Sequence, residues 1–297
     1  MNAIRQEALR AAYLEACEVE LRAFKPGNVS VHSEGHGMTV EDFRRSARAS
    51  APFLCDATLS LGERVYFAIK ATHEAVGCNT NLGIVLLAAP LILAFEASSE
   101  DQPLRASLRE VLNGTTRADA DWVYRAIRLA QPGGLGEAPE QDIRATPRVT
   151  LLEAMRLAEN RDKIACQYTN SFVDILDFAI PRYHSSLSQW GNEEWAAVAV
   201  FVGLLGRFPD SHIERKFGTR FNRRVAARMA RIEQALPDSN EPEQAMRLLR
   251  EVDAEFKSRG INPGTTADLT VACLLVARLE KMLVRRREER TNSRSEA

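Results

Sequence analysis

"NLGIVLLAAPLILAFEA", residues 81–97, is the stretch on which the fold turns. Its apolar run from Leu82 to Phe95 is short of the roughly 20 residues needed to span a bilayer, and it contains Pro90. It reads as a buried helix rather than a membrane span. Outward from it, helical periodicity appears nearly everywhere and convincing strand alternation nowhere. Candidate helices cover 3–24, 40–58, 61–76, 81–97, 103–112, 117–130, 149–168, 170–185, 191–207, 211–235, 241–258 and 266–287.

The breaks between them are chemically sensible. "KPGN", "LGER", "NGTT", "RFPDS", "LPDSNEPE" and "INPGTT" combine glycine, proline and small capping residues. The fold class is therefore all-α, a single-domain bundle of about a dozen helices. No stretch reads as an interdomain linker and no repeat is seen, so one domain spans 1–287. The final "RRREERTNSRSEA" loses its apolar positions, and 288–297 read as a disordered, solvated tail.

Composition sets the broad class. The 297 residues are 45% hydrophobic and 27% charged with a net charge of -1, the balance of a soluble globular protein. Such a balance gives no general attraction to nucleic acid or to an acidic membrane. Cys17, Cys55, Cys78, Cys166 and Cys273 are odd in number and scattered. Without CxxC or His-Cys spacing, they fit a reduced, cytoplasmic compartment. The N-terminus starts a charged amphipathic pattern with no apolar signal core.

Five polar islands interrupt the apolar helices. The first, "AFKPGNVSVHSEGHGM" (23–38), holds Lys25, Asn28, Ser30, His32 and His36; alone it reads as a surface loop whose glycines supply special backbone angles. In the second, "GCNTNLG", Asn79, Thr80 and Asn81 precede the buried helix. One would suffice as a cap, and a helix N-terminus also receives phosphate. The third, "QPGGLGEAPEQDIRATP" (131–147), is glycine-rich, ends with Asp142 and Arg144, and matches neither nucleotide-binding glycine motif.

The fourth island joins "DILDF" to "FPDSHIERKFG". Asp174 and Asp177 lie three apart on one face of a helix, where two carboxylates could share a divalent cation. Asp210 is placed as an N-cap, and His212, Arg215 and Lys216 make a cationic stripe opposite Ile213 and Phe217; the bland reading is a solvated charged face. In the fifth, "INPGTTADLTVACLLVARL", Thr265 and Asp268 have capping-box spacing, which leaves Asn262 unexplained. No G-x-S-x-G elbow, H-E-x-x-H or aromatic-interleaved basic patch is found. Together the islands suit a polyanionic ligand and a divalent cation.

In order and spacing, "KPGNV" with a following histidine, "NTN-G", "PGGLG" followed by "DIR-TP", "PDSHIERKFG" and "NPGTTADL" resemble the triphosphoribosyl-dephospho-CoA synthase family. The resemblance spans nearly the whole chain. It implies an all-α enzyme that joins the ribose C1' of ATP to the 2'-hydroxyl of 3'-dephospho-CoA and releases adenine. Two departures stand out: the citrate-lyase type has "NTHKG" where this chain has Asn81 and Leu82, and an aspartate at Ser30. Both replacements are similar to the archaeal and methylotroph branch, associated with tetrahydromethanopterin-type cofactor metabolism.

On that resemblance, adenine departs through a transition state with positive charge on the ribose. Lys25, Arg215 and Lys216 are expected on phosphate, with Asn28 anchoring the loop and Asn79, Thr80 and Asn81 at the helix start. Asp174, Asp177 and Asp210 are expected to hold Mg2+ or to steady the developing charge. His32 and His212 are the expected proton carriers, and Asn262 and Asp268 complete the ribose or base pocket. Two other classes stay open: a nucleotide-binding relative without turnover, and a helical scaffold whose islands lie far apart.

Overall fold

The computed structural model describes residues 3–35, 37–99, 102–132, 143–236 and 245–295. In chain order they form α1 (Ala3–Arg22), α2 (Val40–Leu54), α3 (Leu61–Val76), α4 (Leu82–Ala97), α5 (Leu104–Asn113), α6 (Arg117–Ala130), α7 (Leu151–Ala158) and α8 (Lys163–Asn170). A π-helical turn (Asp174–Ala179) leads into α9 (Ile180–Trp190), followed by α10 (Glu193–Arg207) and α11 (Ser211–Phe217). After a 3-10 turn (Gly218–Phe221) come α12 (Asn222–Ala235), α13 (Met246–Ser258) and α14 (Gly264–Ser295). Among the described residues there is no strand, only the isolated bridges Ser30–Ser33 and Gly35–Met38.

The apolar run is the enclosed helix its sequence indicates. Every residue of α4 from Leu82 to Ile92 is buried, and α14, α5 and α3 pack around it. Pro90 has no N–H, which would leave the Leu86 carbonyl without its helical donor. The Tyr168 hydroxyl donates to that carbonyl at 2.6 Å instead. The other central helix, α10, is buried from Trp195 to Leu205, and α1, α10 and α14 pack on one another. Outside this core, α2, α3 and α6 form a layer whose starts carry the capping boxes Thr39/Asp42, Ser60/Glu63 and Thr116/Asp119.

Three expected helices are divided, each for a local reason. The 149–168 segment breaks after Ala158, and Asp162 starts α8 by accepting from the Ile164 and Ala165 amides. The 170–185 segment opens with the π turn, and Pro181, which has no N–H to return to residue 177, follows directly. The 211–235 segment breaks at Gly218, whose φ of 60° suits glycine. At the other end, α14 continues as helix to Ser295 rather than fraying at 288.

Candidate active site

The first turns of α4 and α14 and the length of α11 converge with the 23–38 loop on one cavity of about 580 Å³. One half of its wall is apolar: Leu82 and Leu86 of α4, Tyr124 and Ile127 of α6, and Met155 of α7. The other half is polar: Glu20 at the end of α1, Asn28, Asn79 and Thr80, Arg161 and Asp162 before α8, His212 and Arg215 of α11, and Asn262 and Asp268. A flat base or an aliphatic chain fits the first half, and a sugar with charged substituents the second.

Of the three carboxyls in the polar half, Asp162 is paired with Arg215, and Glu20 and Asp268 lie in different surroundings. Glu20 is 4% exposed and lies 3.1 Å from the ammonium of Lys25. That ammonium is wholly buried and also donates to the carbonyls of Glu20, Ala23 and Val29. Burial lifts the Glu20 carboxyl and lowers the Lys25 ammonium, and the attraction between them opposes both shifts. Asp268 has no hydrogen-bond donor among the described residues and borders the cavity. Its enclosure raises the carboxyl well above the usual aspartate range, and the charges of Glu20 and Asp210 push the same way.

Gly83 makes the space for Asp268. A Cβ there would stand 2.6 Å from Asp268 Cγ and 2.7 Å from Ile164 Cδ1, so only glycine lets the first turn of α4 lie against this carboxyl. Gly27 does the same for the loop: its φ is +81° and a Cβ would meet the Ile261 carbonyl at 2.8 Å. The Gly27 amide and the Ser33 hydroxyl then donate to Asp253 of α13, at 2.8 and 2.6 Å. Asn28 donates to Asn262 at 2.8 Å, joining the loop to the start of α14.

Asp210 sets the positions of α11 and α14 together. One carboxylate oxygen accepts from the His212 and Ile213 amides, at 2.9 and 3.1 Å. The other accepts from the amide and hydroxyl of Thr266, both at 2.7 Å. Burial raises this carboxyl, and the Thr266 hydrogen bonds pull it back. The cap of α14 thus comes from Asp210, and the capping box expected between Thr265 and Asp268 is not formed. On α11, Arg215 pairs with Asp162 at 2.8 Å, while its buried Nε has no partner.

The expected site residues separate into two groups. Asn28, Asn79, Thr80, His212, Arg215, Asn262 and Asp268 all line the cavity. Lys25 lies behind the wall with its donors spent inside the protein, so it cannot meet phosphate as expected. His32 is exposed against Phe24, away from the cavity. Asn81 faces α2, donating to Ser46 O and Ser50 Oγ, and Lys216 is exposed beside the Gly260 carbonyl. His36, Asp142 and the glycines of the third island lie outside the described residues.

The three carboxyls expected at a cation are not brought together. In the π turn, Asp174 points inward to Lys163 at 2.7 Å and to Gln167 at 2.6 Å, while Asp177 pairs with Arg105 at the surface. The wider π register takes residues three apart off a common face. Asp210 is committed to its two caps. Among the described residues, no three His, Cys, Asp or Glu side chains are grouped to hold a metal ion.

The model of the CitG family, described as ATP:dephospho-CoA triphosphoribosyl transferase, matches residues 6–287. The chain belongs to this family. A solved structure from Archaeoglobus fulgidus, described as a candidate triphosphoribosyl-dephospho-CoA synthase, is similar in fold: TM-score 0.60 and 24% identity over 78% of this chain and 96% of that one. No curated protein gives a significant match. As a CitG-family member the chain is a transferase, and no described helix is long and apolar enough to cross a membrane.

Among the cavity residues outside the sequence-derived site, Glu20, Arg161, Asp162 and Gly83 bear most on its chemistry. Glu20, Arg161 and Asp162 sit in stretches that look like ordinary charged helix, and Gly83 belongs to a motif without having been given a role. Glu20 did carry a signal: with Leu9, Tyr13, Ala16 and Cys17 it falls on the buried stripe of α1. A lone acid on an apolar stripe must find a partner or a function.

Proposed function

We propose that this chain transfers the triphosphoribosyl group of ATP to a hydroxyl of 3'-dephospho-CoA and releases adenine, as the family's description indicates. The observation that carries this reading is the cavity itself. It draws Asn28, Asn79 and Thr80, His212 and Arg215, and Asn262 and Asp268 from four separate motifs onto one wall. A scaffold has no need to gather them. Arg161 and Arg215 face the phosphates, the linked amides of Asn28 and Asn262 face ribose hydroxyls, and the apolar half takes the base or the acceptor's aliphatic arm.

Asp174, Asp177 and Asp210 do not fit a magnesium site, and we assign magnesium to the triphosphate as its counterion. All five cysteines are free thiols, which suits a reducing compartment, and we place the reaction in the cytoplasm. Leu82 puts an apolar side chain on the wall where the citrate-lyase type of the family carries a lysine. That replacement favours a second acceptor, a tetrahydromethanopterin-type cofactor precursor, for the same transfer.

The test is adenine release from ATP and magnesium, followed by chromatography with mass detection, first with 3'-dephospho-CoA and then with a metabolite extract. Adenine with a triphosphoribosyl adduct of dephospho-CoA is the expected outcome. Adenine only with extract keeps the transfer and changes the acceptor. Binding of ATP with no adenine from either would leave a nucleotide-binding protein and overturn the reading.

A further inference from the structure

We propose that Glu20 and Asp268 are the two catalytic carboxyls of the transfer, Asp268 giving its proton to the departing base and Glu20 taking the proton of the attacking hydroxyl, with Lys25 as the residue that positions Glu20. The proposal rests on the glycosyl-transfer reading above. Three observations carry it. Both side chains line the same cavity, from α1 and α14, which pack together. Glu20 has a cation at 3.1 Å, whereas Asp268 receives no hydrogen bond from a described residue. Gly83 leaves the Asp268 carboxyl room that any other side chain would fill.

Two carboxyls whose surroundings differ in this way divide the acid and base roles between them. The ammonium of Lys25, 3.1 Å away, favours the charged form of Glu20 against the upward pull of burial. Around Asp268 the balance is negative: Glu20 of α1, Asp210 at the start of α11 and Asp162 at the start of α8 all favour its proton, and Arg215 of α11 opposes them. His212, whose ring lies 3.5 Å from the Cβ position of Gly264, is the other titratable group at this end of the cavity.

In the step, the bond from ribose C1' to the base nitrogen breaks and its electron pair leaves with the base, which takes the proton of Asp268. The acceptor hydroxyl forms the new bond from C1' to oxygen and gives its proton to Glu20. One carboxyl loses a proton and the other gains one, and exchange with solvent after release restores both. Before it accepts that proton, the carboxylate of Glu20 also faces the positive charge that develops on the ribose.

The experiment compares wild type with E20Q and D268N, which keep side-chain volume, and with K25R, which keeps the charge. Adenine release should fall by at least about 100-fold in E20Q and D268N, the range for loss of a general acid or base, while ATP binding holds at a temperature and pH where both variants are folded. A D268N rate that loses its alkaline limb and a K25R enzyme that recovers most activity with a displaced pH profile complete the expected pattern. Infrared difference spectra of ligand-free protein at neutral pH should show a protonated-carboxyl band in wild type and E20Q that D268N lacks. Near wild-type rates in E20Q or D268N, or no such band, overturn the assignment. A wild type that releases no adenine with any acceptor overturns the transfer reading instead, and the two failures are told apart by the wild-type rate.

Discussion

Two acidic pairs in this molecule invite opposite readings from sequence and from structure. Asp174 and Asp177, three residues apart, look like a cation site; Glu20 and Asp268, near opposite ends of the chain, look unrelated. In the fold the first pair is divided by a π turn and spent, Asp174 on Lys163 and Asp177 on Arg105. The second pair meets across a cavity, with one carboxyl held by Lys25 and the other left without a hydrogen bond. What separates the pairs is the cavity: Glu20 and Asp268 both line it and can meet a ligand, whereas Asp174 and Asp177 lie off it.

Lys25→Met gives the sharpest test of the difference. It leaves Glu20 buried without its cation, and breaking a buried ion pair from one side costs about 3–5 kcal/mol. Chemical denaturation should show that loss, with much of it recovered in the E20Q/K25M double variant. If K25M melts like wild type, Lys25 is not the counter-charge that defines the Glu20 side of the comparison. Asp210→Ala comes next. It removes the caps of both α11 and α14, which at about 1–2 kcal/mol each gives roughly 2–4 kcal/mol in denaturant midpoints. Because His212 and Asp268 sit within the first turns of those helices, ATP binding should weaken with it.

The fold was largely legible in the sequence, and the site about half so. Leu82–Phe95 announced an enclosed helix, and the expected starts at 40, 61 and 117 are where the capping boxes of Thr39, Ser60 and Thr116 stand. What periodicity could not reveal was where a continuous pattern is broken by one side chain, as Asp162 breaks 149–168. In the site, loop and cap residues such as Asn28, Asn79 and Asn262 showed themselves by being polar beyond local need. Lys25 showed itself too, but in the wrong role, because its partner Glu20 is hidden in a helix that looks solvated. Asp268 was half-explained as a cap that Asp210 in fact provides from another helix, and no local spacing rule reaches that far along the chain.

A smaller, pH-dependent effect follows from Asp268. Its folded carboxyl holds a proton at pH values where the unfolded chain has lost it, so its contribution to stability is complete below the ordinary aspartate range and is lost as pH rises through the folded value. Asp268→Asn removes that titration. Thermal melts of wild type and D268N should coincide at low pH and separate as pH rises, with D268N the more stable. Constant separation at every pH would mean that Asp268 titrates alike in the folded and unfolded chain, and its surroundings would then not set it apart from an exposed carboxyl.

The smallest effect belongs to the other pair. Asp177 and Arg105 are each about half exposed, at 51% and 50%. An ion pair so open to water contributes roughly 0–1 kcal/mol after screening and side-chain ordering are counted. Asp177→Asn and Arg105→Ala should therefore shift the denaturation midpoint little, and their combination no more than the sum. Adenine release should not change in either, because neither residue lines the cavity. Asp174→Asn differs from both, since it strips Lys163 of its partner at the start of α8, next to the cavity residue Asp162. A fall in turnover in D174N but not D177N would show that this pair touches the site only through its buried member, as a support for α8. An equal fall in both variants would restore the shared cation that the π turn argues against.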